Sequence, residues 1–227
     1  MTGLPLGEAL TWEPVARPDR TPLHGSHVIL RPVQPEDAEP LYRVSHPPEG
    51  DTAIWTYLPD GPYESPDDMR RMLDWATTSD DPLFYALVRE DDQRPAGMAS
   101  YLRIAPEFGV IEIGHIWFGV PLQRTTAATE AIYLLSRHAF DDLGYRRLEW
   151  KCNALNAASR RAAERFGFTF EGVFRKHMVI KGRNRDTAWY AITDDEWPAI
   201  RDAYEDWLAP DNFDDDGRQR RPLRRRP

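Results

Sequence analysis

The run Ile111 to Val120 reads as an apolar strand. Within a few residues it gives way to Gln123-Arg124-Thr125-Thr126-Ala127-Ala128-Thr129-Glu130, the opening of an amphipathic helix. Ala128, Ala131, Ile132, Leu135 and Ala139 recur at i, i+3, i+4, i+7 and i+11, so a helix is predicted from about Arg124 to Leu143, with Gly144 as its stop. A helix that starts this soon after a strand packs back onto the strand's own sheet, which points to layers of sheet and helix. It also leaves its first N–H groups unpaired at the end of that sheet, where they can hold a pyrophosphate on bare main chain.

The remaining elements fit around this junction. Residues 1–25 are Pro-rich and aperiodic and read as an arm lying on the surface, followed by a strand from His27 to Pro32. Helices are predicted from Gln34 and from Ser65, the latter with Ser65 as N-cap and Pro66 at the first helical position. Leu83–Arg89, Gly97–Ile104 and Ile111–Val120 form an antiparallel meander. After the long helix come a strand at Arg147–Asn153, a short helix at about Ala157–Phe166, a hairpin of Gly172–Ile180 and Thr187–Ile192, and a closing helix at Asp194–Leu208. This order predicts an α/β fold (an α+β mixed sheet) over residues 26–209 with helices on both faces, and a flexible acidic-then-Arg-rich tail at 210–227.

Charge narrows the partners. The chain of 227 residues has a net charge of −8, yet residues 218–227 hold six arginines and no acid, which leaves −14 on residues 1–217. An acidic body favours cationic partners such as amines over nucleic acid, which only the Arg tail would attract. No basic and apolar leader and no run of membrane-spanning length is visible, so a cytoplasmic protein with no membrane partner is expected. The single cysteine, Cys152, reads as a buried apolar residue rather than a nucleophile.

Further motifs follow the junction in order. They are Asn156-x-x-Ser159, Gly167-Phe168-x-x-Glu171-Gly172, Gly182-x-x-x-Asp186 and Glu196-Trp197, with Ile111-Glu112-Ile113-Gly114-His115 preceding it. Together they resemble the GNAT superfamily of N-acetyltransferases, nearest to its Rim-type members that act on ribosomal-protein N-termini, across about residues 26–198. The resemblance implies a central, mostly antiparallel twisted sheet with one splayed parallel strand pair. It implies acetyl-CoA as co-substrate, no metal, and an amine acceptor, either a protein N-terminus or a small molecule. It leaves open a longer donor such as succinyl-CoA, a non-catalytic acyl-CoA-binding module, and a homodimer.

The resemblance also assigns residues. The loop would hold the pyrophosphate through Arg124, Thr125, Thr126, Ala127, Ala128 and Thr129, with Thr126 where the family has its central glycine. A β-branched residue there restricts the loop shape, and the threonine hydroxyls could add donors. Main-chain groups near Phe118 and Val120 would pair with the pantetheine arm. Asn156 would touch it too, unless Asn156 serves only as N-cap of the next helix.

Glu112 is the first candidate for general base, with cross-strand pairing to an arginine as its structural alternative. His115 is the second, and strict alternation puts it on the opposite strand face from Glu112 unless a bulge intervenes. The family's usual proton-donor tyrosine is replaced by Ala163, so Ser159 would protonate the leaving thiolate, or else fill space beside the sheet. Trp55, Tyr57, Tyr85, Tyr101 and Trp117 are candidates to line the acceptor pocket, or simply to pack.

Overall fold

Sheet and helix alternate much as the hydrophobic pattern requires. The structure is a computed structural model and describes residues 3–223. A short strand β1 (Leu23–His24) pairs antiparallel with β2 (Val28–Pro32), and helices α1 (Ala38–Ser45) and α2 (Pro66–Ala76) follow. Then come β3 (Leu83–Arg89), β4 (Pro95–Ala105) and β5 (Val110–Phe118), and helix α3 (Thr126–Arg137), which runs on into a wide turn at His138–Asp142. Strand β6 (Arg147–Asn153), helix α4 (Ala157–Arg165), strands β7 (Thr169–Ile180) and β8 (Arg183–Thr193) and helix α5 (Trp197–Leu208) complete the fold.

One eight-stranded sheet runs β1-β2-β3-β4-β5-β6-β8-β7. Every neighbouring pair is antiparallel except β5 with β6. Helices cover both faces. On one, α3, α4 and α5 pack Ile132, Leu135, Ala163, Ile200 and Tyr204 onto Ile111, Ile113, Leu148, Trp150 and Tyr190. On the other, α1 and α2 pack Leu41, Met69, Leu73 and Ala76 onto Phe84, Ala86, Val88 and Met98. Each fully buried side chain of Leu or Met size contributes about 1.5–3 kcal/mol, so the two layers hold the sheet between them.

Local chemistry sets the helix starts. Ser65 Oγ accepts from Asp68 N–H at 3.2 Å, with Pro66 next to it as expected. Glu130, buried in α3, accepts from the N–H groups of Ser26, His27 and Val28 at 2.9, 2.6 and 3.1 Å and so ties α3 to the start of β2. A Cβ at Gly25 would stand 2.5 Å from that carboxylate, which is why glycine is required there.

The N-terminal residues pack on the body over part of their length. Trp12 Nε1 donates to Glu107 O and Arg17 to Ile104 O, and Val15 joins the core, whereas Leu4, Leu6 and Leu10 stay exposed. Described residues after α5 meet the body, among them Asn212, Phe213 and Leu223. Asn212 is fully buried and holds Trp207 O and Arg221 O through Nδ2, Gln219 Oε1 accepts from Trp207 Nε1, and Leu223 is buried in the core. The cause is apolar: Phe213 and Leu223 complete the layer around α5. Arginines 224–226 lie outside the described residues.

Candidate active site

Strands β5 and β6 are partners only from Val110↔Arg147 to Ile113↔Trp150. Beyond that point β5 continues to Phe118 along β4, and β6 continues to Asn153 along β8, with no pairing between them. The result is a V whose inner edges carry main-chain donors and acceptors free of a strand partner. Phe118 and Val120 lie at its open end. Phe118 O accepts from Gln123 Nε2 at 2.9 Å, and Val120 O from Gln123 N–H at 3.3 Å.

Helix α3 begins at the same end. Arg124 takes φ 62°, the left-handed turn of the loop. Thr125 is the N-cap, its hydroxyl accepting from Ala128 N–H at 3.2 Å and donating to Leu122 O at 2.7 Å. Thr126 is therefore the first helical residue and escapes the strain expected of a β-branched residue in a glycine position, because the left-handed residue is Arg124. The N–H groups of Thr126 and Ala127 donate to no described residue, as an anion site at a helix N-terminus requires.

The threonine hydroxyls are less available than expected. That of Thr125 is used in the cap, and Thr129 is buried, its hydroxyl facing Thr125 O and accepting from Arg165 at 3.1 Å. Only Thr126 keeps an unengaged hydroxyl. Arg165 brings a guanidinium to the first turn of α3, a role unassigned from sequence although its place beside Gly167-Phe168 could have marked it. A cavity of about 370 Å³ opens on the helix start, lined in part by Thr125, Thr126, Ala127, His27 and Arg89.

Across the V stands α4. Asn156 Oδ1 accepts from Ser159 N–H at 3.0 Å, so its capping role is real and its amide group is left over. Trp150 Nε1 donates to Ser159 Oγ at 3.0 Å, so the one proton of Ser159 is left to donate, and at rest it faces the Cys152 thiol. Ala163 is buried against the sheet. Cys152 is buried as well, and burial pushes its thiol above the ordinary range, so it is a poor nucleophile.

Two bulges rebuild the strand face opposite α3. The β4–β5 register runs Met98↔Trp117 and then Ser100↔Gly114, with His115 at φ 48°. The extra residue rotates His115 onto the face that holds Glu112, correcting the opposite-face expectation. A second shift between Leu102↔Glu112 and Ala105↔Val110, with Arg103 at φ 48°, sends the Arg103 side chain to Glu112 Oε2 at 2.7 Å.

Lys151 Nζ lies 2.9 Å from the same oxygen, 2.6 Å from Glu149 Oε2 and 3.9 Å above the Trp189 ring. Glu112 is thus the structural carboxylate of a buried ion network. Only its Oε1, toward Gly114, is free of protein donors among the described residues. His115 Nδ1 is 3.0 Å from Ser100 Oγ, and Ser100 donates its one proton to Gly114 O. With the Ser100 hydroxyl directed to Gly114 O, Nδ1 is the donor in this contact and Nε2 holds the lone pair. Burial holds His115 below its ordinary pKa, so it is neutral at pH 7.

The predicted acceptor aromatics divide. Tyr85 and Tyr101 are fully buried on the α3 side, their hydroxyls bonded to Asp19 O and Leu135 O, and they belong to the core rather than to a pocket. Alternation along β3 and β4 puts them beneath the sheet. Trp55 and Trp117 pack on each other at 5.1 Å on the Glu112 side. Tyr57 is partly exposed and donates to Leu155 O at 3.3 Å. The loop bearing Trp55 and Tyr57 forms a roof. Lys181, in the β7–β8 turn, donates to Trp55 O at 2.8 Å and to Asp60 O at 2.9 Å and fastens it.

Among the described residues there is no group of three or more metal-ligating side chains and no helix long and apolar enough to cross a membrane.

The pattern of the Acetyltransferase (GNAT) domain family matches residues 27–169, more than half of the chain. A GCN5-related N-acetyltransferase from Brucella melitensis superposes with a TM-score of 0.90 at 46% identity, over 93% of this chain and 96% of its own. A GNAT-family structure from Chromobacterium violaceum gives 0.78 at 37% identity, over 87% and 100%. YdaF of Bacillus subtilis, provisionally named a ribosomal N-acetyltransferase, is 26% identical over 75% of this chain and 93% of its own.

Proposed function

This chain belongs to the GNAT acetyltransferase family, whose work is acetyl transfer from acetyl-CoA, and on that premise we propose that it acetylates a primary amine by direct attack in a ternary complex. The observation that carries the reading is the divergence of β5 and β6 after Ile113↔Trp150, with the free N–H groups of α3 at the open end. Acetyl-CoA lies in that V. Thr126 and Ala127 hold its pyrophosphate, assisted by Arg165. The pantetheine arm pairs along β5 toward Phe118, and the Asn156 amide group reaches it from the other side. An N–H freed on β5 meets the developing oxyanion.

In the reaction the amine nitrogen bonds to the thioester carbon and the C–S bond breaks. His115 Nε2 takes the proton the amine loses, since it is neutral and carries the lone pair. Ser159 gives its proton to the departing thiolate, its oxygen steadied by Trp150, and regains one from solvent as His115 releases the amine's proton to solvent, so the protons balance. Glu112 does not serve as base, because Arg103 and Lys151 already occupy its Oε2, but it fixes the charged floor beside His115. The provisional name of YdaF, a ribosomal N-acetyltransferase, favours a ribosomal amine as one acceptor class.

The test is thiol release from acetyl-CoA with a panel of peptides and small amines, with product masses read in parallel. A mass gain of one acetyl group on an amine is the expected result. Acetyl-CoA binding with no product across the panel would overturn the reading.

A further inference from the structure

The floor of the cleft carries the cations Arg103, Arg147, Lys151 and Arg185. Arg103 pairs with Glu112, Lys151 with Glu112 and Glu149, and Arg147 with Glu149 and Glu171. Arg185 has no carboxylate within ion-pair distance among the described residues. Its Nε donates to Thr187 Oγ1 at 3.1 Å, the same oxygen that His177 Nδ1 meets at 3.0 Å, and its two terminal nitrogens donate to no described residue. The side chain is only partly exposed, and burial holds the guanidinium below its ordinary pKa. A desolvated cation without a counter-ion is costly, and an incoming anion would offset that cost.

Its place in the sheet gives this a direction. The β6–β8 pairing ends at Asn153↔Thr187, so Arg185 stands two residues beyond the last residue of β6. By alternation it shares the face of Thr187 and Trp189, hence of Lys151 and Glu112. The splayed half of β5, with His115, and the free end of β8, with Arg185, border the gap that β6 no longer fills. Cys152, Glu112, Arg103 and His115 are the electrostatic neighbours of Arg185 there.

We propose that the acceptor amine carries its own anionic group, a carboxylate or a phosphate, and that Arg185 binds that group while the amine faces His115. The inference rests on the acetyl-transfer reading and narrows its substrate class. The Arg185 fork, fixed through Nε, is shaped for two oxygens of one anion. It also revises the expectation from net charge: the body is acidic, but the reacting amine is selected by a cation.

The experiment uses matched acceptors: peptide amides that differ only in glutamate or glutamine at the second position, and phosphoethanolamine against ethanolamine. Turnover, and binding to the CoA-loaded protein by calorimetry, are measured for the full chain and for R185Q and R185K. The full chain is expected to favour one or both anionic members, by about 30-fold or more in kcat/KM, the lower end of what a buried charge pair is worth. R185Q is expected to collapse that ratio toward one, chiefly through KM, with R185K restoring part of it. The peptide and phosphate arms separate the two sources of the anion. Turnover without any anionic preference, or a preference that survives in R185Q, overturns the proposal and leaves acetyl transfer standing. Anion-selective, Arg185-dependent binding without turnover overturns acetyl transfer and leaves the anion site standing. Neither turnover nor selective binding overturns both.

Discussion

His115 Nδ1 stands 3.0 Å from Ser100 Oγ across the β4–β5 pair, and Ser100 donates its only proton to Gly114 O. That arrangement favours the tautomer with hydrogen on Nδ1 and the lone pair on Nε2. Because burial lowers the His115 pKa, the base form persists below pH 6.5.

Replacing His115 by Gln is expected to lower kcat about 100-fold, the smaller end of what a positioned base supplies, with little change in acetyl-CoA affinity. In the unaltered enzyme kcat/KM should fall only at pH below 6.5. Stability follows the same sign. The unfolded chain binds this proton near pH 6.5 and the folded one only lower, so His115 makes stability decline as pH drops through that window. Full activity in H115Q would return the base role to Glu112 or to water.

Glu112 makes the complementary case. E112Q removes one of the two carboxylates that answer the buried Lys151, as well as the partner of the half-exposed Arg103, so a loss of about 3 kcal/mol, carried by the Lys151 pair, is expected on chemical denaturation. At a temperature where the variant is folded it should keep substantial turnover. Normal stability together with lost turnover would make Glu112 the base after all.

At the helix start, T126E should separate fold from ligand. A carboxylate in the first turn of α3 suits the helix dipole and adds roughly 0.3–1 kcal/mol to stability. The same charge repels a pyrophosphate, so acetyl-CoA affinity should fall by about tenfold or more. Thermal unfolding and titration calorimetry read the two effects. Unaltered affinity would refute the loop as the anion site.

Truncation after Ala209 is expected to destabilise the domain by at least ~2 kcal/mol, since it removes Leu223 and Phe213 from the α5 layer. A melting temperature equal to that of the full chain would mean the tail contributes nothing in solution.

Much of this architecture is legible in residue order. The strand-loop-helix junction and the inward face of α4 follow from local periodicity, and the V between β5 and β6 from the family resemblance. Arg103 and His115 were not legible in the same way. Each sits at φ 48° in a bulge, and neither is a Gly, Asn or Asp that would mark such a place. Period-two alternation assigned His115 to the wrong face for that reason. The Glu112–Lys151–Glu149 network depends on the β5–β6 register, and Arg185 stands out only once β6 is seen to stop short of it. Phe213 and Leu223 were not legible as packing residues, because the run around them is dominated by charge.

Lys181 grips the roof by two carbonyl oxygens, those of Trp55 and Asp60. Every residue type offers the same oxygen, so the latch is blind to the side chains it holds. The roof can therefore change what it shows an acceptor while staying fastened. Point changes in residues 52–62 that keep the loop's backbone path alter the face this chain turns to the cleft and leave both of the latch's oxygens in place.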